Sequence, residues 1–422
     1  MIAYNYFGKE QKLYYEKLEN GLEIFILPNH NSKLYHIDVV TRYGSDISSF
    51  VPLGEKKEIK LPLGIAHFLE HKMFDMPDFN SFDYYAKTGT YINAGTNYIS
   101  TRYYMDGKKN YQKNLDEWLR MIYTPHFLDD SVNKEKNIIA EEIKMYDDEP
   151  VWTLDYENKK CLYNALFQEK IAGTVESIQQ INADILKKTY DVFYQPSNMF
   201  IVITGNVPIK ETIKIIKSNE ALIKRPSNNK IICDEKKEDV KVRKEYSCIY
   251  DNVVLPKLTY SFKFNLNDFD IKDKPSLIYY LNIIFSNLFG EASSFNEKII
   301  NDQIATNFYI DHIIYDNIYT FTLISESEYA DLFKEMVDKE LSKIIVSSND
   351  FERVKKVITS VIIRSLDNTS ALASSIVDSI LKGEYEFDVI ASLSKLNYND
   401  LLKIIDKLDF SNHSFVLMLP KE

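Results

Sequence analysis

Apolar and polar positions change period several times along the first half of the chain. Leu22 to Pro28 (LEIFILP) and Lys33 to Gly44 (KLYHIDVVTRYG) are strand-length apolar runs, and they predict neighbouring strands. Leu61 to Phe74 (LPLGIAHFLEHKMF) switches to helical spacing, and Thr90 to Met105 (TYINAGTNYISTRYYM) reads as two strands around a turn. Further helices are expected at about 110–122 and 131–147, the second opened by Asp130 or Ser131 as N-cap and closed before Pro150. Strands and helices in irregular alternation point to an α+β sandwich and not to a doubly wound βαβ array.

The pattern then repeats. SIQQINADILKKTYDVFYQPSNMFIVITG starts at Ser177 and SLSKLNYNDLLKIIDKLDFSNHSFVLMLP at Ser392, 215 positions later; their Ser-Asn pairs (Ser197-Asn198 and Ser411-Asn412) are 214 apart. Each copy predicts a helix, a Ser-Asn turn and an apolar strand (Phe200 to Ile203, Phe415 to Leu417). With 422 residues the period is half the chain, so duplication of one α/β domain is expected. The polar stretch 217–242, broken at Pro226-Ser227-Asn228-Asn229, reads as the linker, giving domains at 1–216 and 243–422.

Composition narrows the partners. Hydrophobic residues at 45% and aromatic residues at 13% supply enough apolar surface for packed cores. Acidic residues outnumber basic ones, 62 to 51, and no Lys/Arg stripe is present, which argues against nucleic acid as a partner. Cys161, Cys233 and Cys248 are far apart with no CxxC spacing, as in a reducing compartment without a Cys-type zinc site. The polar N-terminus lacks a signal-peptide core and no apolar run reaches membrane-spanning length, so a cytoplasmic location is expected.

Candidate chemistry sits in His67-Phe68-Leu69-Glu70-His71. On a helix, positions i and i+4 lie on one face about 6 Å apart, so both imidazoles can reach one metal ion, with Glu70 on the same side. Two hydrogen-bonded core histidines would be the plain alternative, but a second acidic cluster stands on the 131–147 helix. Glu135 and Glu142 are seven apart, hence two turns apart on nearly the same face. A catalytic zinc takes three protein ligands, so Glu142 can complete the set while Glu135 supports it from behind.

His-x-x-Glu-His inverts the commoner His-Glu-x-x-His order, and with a Glu-x6-Glu pair about seventy residues on it resembles the pitrilysin/insulinase (inverzincin) family of zinc metallopeptidases, which includes the mitochondrial processing peptidases. Further likeness lies in Asn93-Ala94-x-Thr96 with Thr101 and Tyr103, in Ile143 to Pro150, in Gly173-Thr174-x-Glu176-Ser177-Ile178, and in Pro196-Ser197-Asn198-Met199; it is greatest to bacterial half-size members. The resemblance implies one Zn2+ held by His67, His71 and Glu142, Glu70 as general base, Glu135 as a supporting catalytic carboxylate, and Asn93 and Ala94 on an edge strand that binds extended peptide. It also implies a tandem of two homologous α/β sandwich domains forming half of a clamshell chamber. Active members carry an Arg and, seven residues on, a Tyr in the second domain; here Ile300 and Asn307 stand in those places. Arg243 and Tyr250 have the spacing but lie beside the linker. The implied function is a zinc endopeptidase for short or unfolded peptides, for example in leader removal from a ribosomally made peptide or bacteriocin. A homologous half-size subunit would supply the missing pair, a homodimer being the other arrangement. A non-catalytic assembly or peptide-binding subunit is the alternative, against which the complete zinc motif argues.

Overall fold

The computed structural model describes residues 1–7, 11–76, 81–234, 237–385 and 387–421. Its strands are β1 (Ile2–Phe7), β2 (Gln11–Lys17), β3 (Glu23–Pro28), β4 (Tyr35–Thr41), β5 (Ser49–Phe50), β6 (Ile59–Lys60), β7 (Tyr91–Thr96), β8 (Thr101–Gly107), β9 (Met199–Gly205), β10 (Tyr246–Asp251), β11 (Lys257–Asn265), β12 (Asn307–Tyr315), β13 (Ile318–Glu326) and β14 (His413–Pro420). Among the described residues they form a seven-stranded sheet, β1-β2-β3-β9-β4-β8-β7, a five-stranded sheet, β10-β14-β11-β13-β12, and the short β5-β6 pair.

The repeat seen in the sequence is the repeat of the sheets. β9 runs parallel to β3 and antiparallel to β4, just as β14 runs parallel to β10 and antiparallel to β11; β4-β8-β7 is then matched by β11-β13-β12. The strand with the Ser-Asn turn therefore lies inside each sheet, which is why Met199 to Gly205 is buried at every position. Two α/β sandwich domains in tandem are the architecture expected, with β1 and β2 added to the first.

The compact units are not contiguous in sequence: one comprises 1–144, 170–235 and 362–389, the other 145–169, 236–361 and 390–422. In the first unit, helix Thr369–Leu381 lays Leu372, Ala373, Ile376, Val377 and Ile380 on Phe25, Leu27, Val40, Phe200 and Val202 of the sheet. In the second, helix Pro150–Leu162 lays Leu154 and Cys161 on Val416 and Met418 of β14, and Asn158 accepts hydrogen bonds from Thr259 and Ser261 of β11. Each half of the chain thus receives a covering helix from the other half, which differs from a division at a single linker. The 217–242 stretch also differs from a solvated linker. Its first residues finish helix Ile209–Leu222, Arg225 is buried in an ion pair with Glu220, and Asp234 accepts from the amides of Ser48 and Ser49. In the second unit Glu238 accepts from the amides of Asn164 and Ala165 and from Lys263, itself fully buried. Polar composition signals solvent exposure on average, and here the polar groups are paired inside instead.

The helix 369–381 is also latched by charge. His36 on β4 lies between Asp106 (2.9 Å) and Asp38 (3.1 Å), Asp38 pairs with Arg102, and Arg102 reaches Ser374 of the helix. Asp378, its pKa raised mainly by burial, faces the same group. Burial opposes charge on His36, but the hydrogen bonds to Asp106 and Asp38 outweigh it and push its pKa up to about 9. A pKa raised on folding gives stability that is complete below the unfolded value near 6.5 and lost as pH rises through the folded value. Wild type should therefore lose on the order of 3 kcal/mol of unfolding free energy between pH 6.5 and 9.5 that H36Q does not lose, as read by urea denaturation of both proteins across that range.

Candidate active site

Helix Ile65–Lys72 carries the two histidines and is fixed at both ends. Gly64 precedes it at φ +88°, where a Cβ would sit 2.3 Å from the Ala172 carbonyl oxygen, and Gly173, at φ +74°, approaches Leu63 as closely. Only glycine permits both the left-handed backbone and that approach. Ser177 donates to the Leu63 carbonyl at 2.8 Å while forming a capping box with Thr174. The motif Gly173-Thr174-x-Glu176-Ser177 is thus a clamp on the start of this helix. At its other end Lys72, fully buried, donates to Asp75 and to Ser131 in the first turn of the second acidic helix, Asp129–Asp147, which starts ahead of Asp130 and Ser131 and so places neither at the N-cap expected of them. That helix buries Val132, Ile139, Ala140 and Ile143, which leaves Glu135 and Glu142 facing the histidines.

The side chains converge as the spacing predicted. Glu142 lies 3.7 Å from His67 Nε2 and 3.4 Å from His71 Nε2, and the rings of the two histidines are 4.6 Å apart. Among the described residues, His67, His71 and Glu142 are the one group whose ligand atoms gather to hold a metal ion, all within 4.8 Å of one another. A tetrahedral zinc with bonds of about 2.0–2.2 Å needs ligand atoms about 3.4 Å apart, so the donor set fits the ion in both chemistry and span. Glu135 accepts from His71 Nδ1 at 2.9 Å, which places the proton on that nitrogen and leaves the Nε2 lone pair toward the ligand group. His67 Nδ1 is buried without a hydrogen-bond partner among the described residues. Burial and the charge of His71 push the His67 pKa down to about 4, so it stays a neutral donor. Burial also works against charge on His71, but without an ion Glu135 and Glu142 overcome it and raise its pKa to about 10, so a proton sits on Nε2 until a metal displaces it. The pocket therefore holds positive charge strongly, and a divalent cation meets that demand.

Glu70 is 8% exposed, and burial raises its pKa. Its carboxylate accepts from the Thr96 hydroxyl at 2.6 Å, and Thr96 ends β7, the outer strand of the sheet. Behind it the hydroxyls of Tyr103 and Tyr194 are hydrogen-bonded to each other at 2.7 Å. Asn93 and Ala94 lie on the same outer strand; the Asn93 side chain accepts from the Ala94 amide at 2.8 Å and donates to Tyr91. The five residues of the zinc motif thus come together, with Asn93 and Ala94 on the edge that ends at Glu70. The roles of Thr96 and Lys72 were not legible in the sequence. Thr96 stands in a recognisable motif that gives no hint of its partner, and a lysine ending the metal helix just before the apolar Met73 and Phe74 was the available signal for Lys72.

In the second unit Ile300 is exposed on helix Ser294–Asn301 and Asn307 opens β12, so those two positions offer neither a cation nor a phenol. Arg243 is engaged by Gln168 and the Tyr163 carbonyl, and Tyr250 points to solvent from β10. No helix among the described residues is long and apolar enough to cross a membrane.

Residues 41–175 match the family model described as insulinase (peptidase family M16), and residues 180–358 match the one described as the peptidase M16 inactive domain. An uncharacterized zinc protease of Bacillus subtilis, YmfH, is 29% identical over 406 residues, which cover 94% of each chain. Among solved structures, an M16-like peptidase from Alicyclobacillus acidocaldarius superposes with a TM-score of 0.89 at 26% identity over 99% of this chain and all of that one. The first half of the periplasmic protease PqqL from Escherichia coli shares the fold, at a TM-score of 0.75 and 17% identity over 99% of this chain and 93% of that one.

Replacing His67 or His71 by Ala should reduce bound zinc from one per chain to near zero by elemental analysis. E135Q should retain the ion but weaken its affinity about 10- to 100-fold in a chelator competition.

Proposed function

The chain belongs to the insulinase (M16) family of zinc metallopeptidases, and on that premise we propose an endopeptidase that takes short or unfolded peptides along the outer edge of β7 and works as one half of a closed chamber. The observation that carries this reading is the placement of the buried Glu70 carboxylate where the open sheet edge meets the His67, His71 and Glu142 set. An edge strand presents unpaired main-chain groups, so an extended peptide can add to it with little regard for its side chains.

His67, His71 and Glu142 would hold the zinc ion, which when bound would provide the Lewis acidity that acidifies water and polarises a peptide carbonyl. Glu70 takes the proton from the attacking water and returns it to the leaving amine, a task suited to a carboxylate whose pKa burial raises above its ordinary value. Glu135 holds the His71 ring in one tautomer throughout. Asn93 and Ala94 receive the peptide backbone.

With Ile300 and Asn307 in place of Arg and Tyr, the developing oxyanion needs donors from elsewhere, a contribution of several kcal/mol in general. A homologous half-size subunit supplies them in this reading, and a second copy of the same chain is the other arrangement. The reading extends to maturation of a ribosomally made peptide in the cytoplasm; for the latter it rests on three cysteines that form no disulfide.

E70Q should keep one zinc per chain while its turnover of a quenched peptide falls at least about 1,000-fold, and equal turnover would overturn the assignment. The isolated wild-type chain should turn over slowly and gain activity when its half-size partner is added. Full activity in a monomer would count against the two-subunit chamber.

A further inference from the structure

The outer edge of β7 does not stay open to its end. Amides two residues apart on a strand point to the same side, and here the amides of Ala94 and Thr96 both turn outward. The Ala94 amide is held by the side chain of Asn93, which an incoming peptide can displace. Two residues on, where the strand ends, the Glu70 carboxylate accepts from the Thr96 hydroxyl at 2.6 Å. Glu70 therefore stands beside the edge just past the rung at Ala94. The Thr96 hydroxyl is itself placed by its strand, where Thr96 pairs with Thr101, whose own hydroxyl is anchored on the Tyr43 carbonyl at 2.9 Å.

We propose that Thr96 is a positioning residue for Glu70, fixing that carboxylate at the end of the peptide-binding edge so that one strand holds both the substrate backbone and the proton acceptor. This rests on the endopeptidase reading above. A carboxylate on a flexible side chain samples several rotamers, and a short hydrogen bond from a residue fixed in a strand restricts that freedom before substrate arrives. That bond does not touch the metal ligands directly, so loss of the hydroxyl should leave metal binding intact. The Ala94 amide lies two residues away on the same strand, so loss of the hydroxyl should also leave peptide affinity intact.

The test is to measure kcat and KM on a quenched peptide, zinc content and Tm for the zinc-loaded full chain as wild type, T96V and T96S. T96V keeps the shape and the backbone amide but loses the hydroxyl; its kcat should fall about 10- to 100-fold while KM stays within about threefold and zinc and Tm are unchanged. T96S restores the donor and should return kcat to within about threefold of wild type. In an E70Q background T96V should have no further effect, because the proton acceptor that Thr96 positions is gone. An active wild type with an equally active T96V chain would overturn the positioning role alone, as would a loss seen in zinc content or Tm. A zinc-loaded wild type inert with and without its partner subunit would overturn the endopeptidase reading and the positioning role with it.

Discussion

Two imidazoles on a helix of two turns can share a cation only if that helix is prevented from rolling about its axis. Everything at the metal centre depends on this constraint. A small rotation would swing His67 and His71 in the same sense and separate both from Glu142, which belongs to a different helix. The chain prevents it at both ends, by backbone contact at Gly64 and Gly173 and by the buried Lys72, which joins its own helix to the first turn of the acidic one. The charged lysine in the apolar layer is tolerated because Asp75 and Ser131 satisfy it.

Charge arrangement at the centre follows from that rigidity. Three carboxylates, Glu70, Glu135 and Glu142, surround two imidazoles, and burial keeps them from being screened by water. Their environments divide the labour. Glu135 is tied to an imidazole, Glu142 faces both ring nitrogens, and Glu70 is held by a threonine on the sheet. Carboxyl groups of one kind acquire separate roles through their partners alone.

The sequence made the site legible because its chemistry is local: His67, Glu70 and His71 sit on one helix, and Glu135 and Glu142 on another, at spacings that helical geometry converts directly into a common face. The duplicated fold was legible through a single matched block, since the block contains the interior strand around which each sheet is ordered. What stayed hidden depends on long-range pairing. Arg225 and Glu238 read as linker polarity because nothing nearby in sequence announces Glu220 or Lys263 as partners. The helices at 150–162 and 369–381 lie outside the elements that the sequence pattern predicted, and an apolar face in any case does not name the sheet that will receive it. Thr96 belongs to the same class, for its bond to Glu70 spans the distance between helix and sheet.

The exchange of covering helices bears on the order of events at the ribosome. Strands β1 to β9 have all emerged by Gly205, yet the apolar face formed by Phe25, Val40 and Phe200 has no cover until Leu381 follows. At about 5–20 residues per second, that leaves the first sheet half-dressed for roughly ten seconds or more. Helix 150–162 waits in the same interval for β11 and β14, which are still to be made. The metal-binding unit is therefore completed only once Leu381 has been made, long after Glu142, and a product truncated before Leu381 lacks the helix that closes the unit.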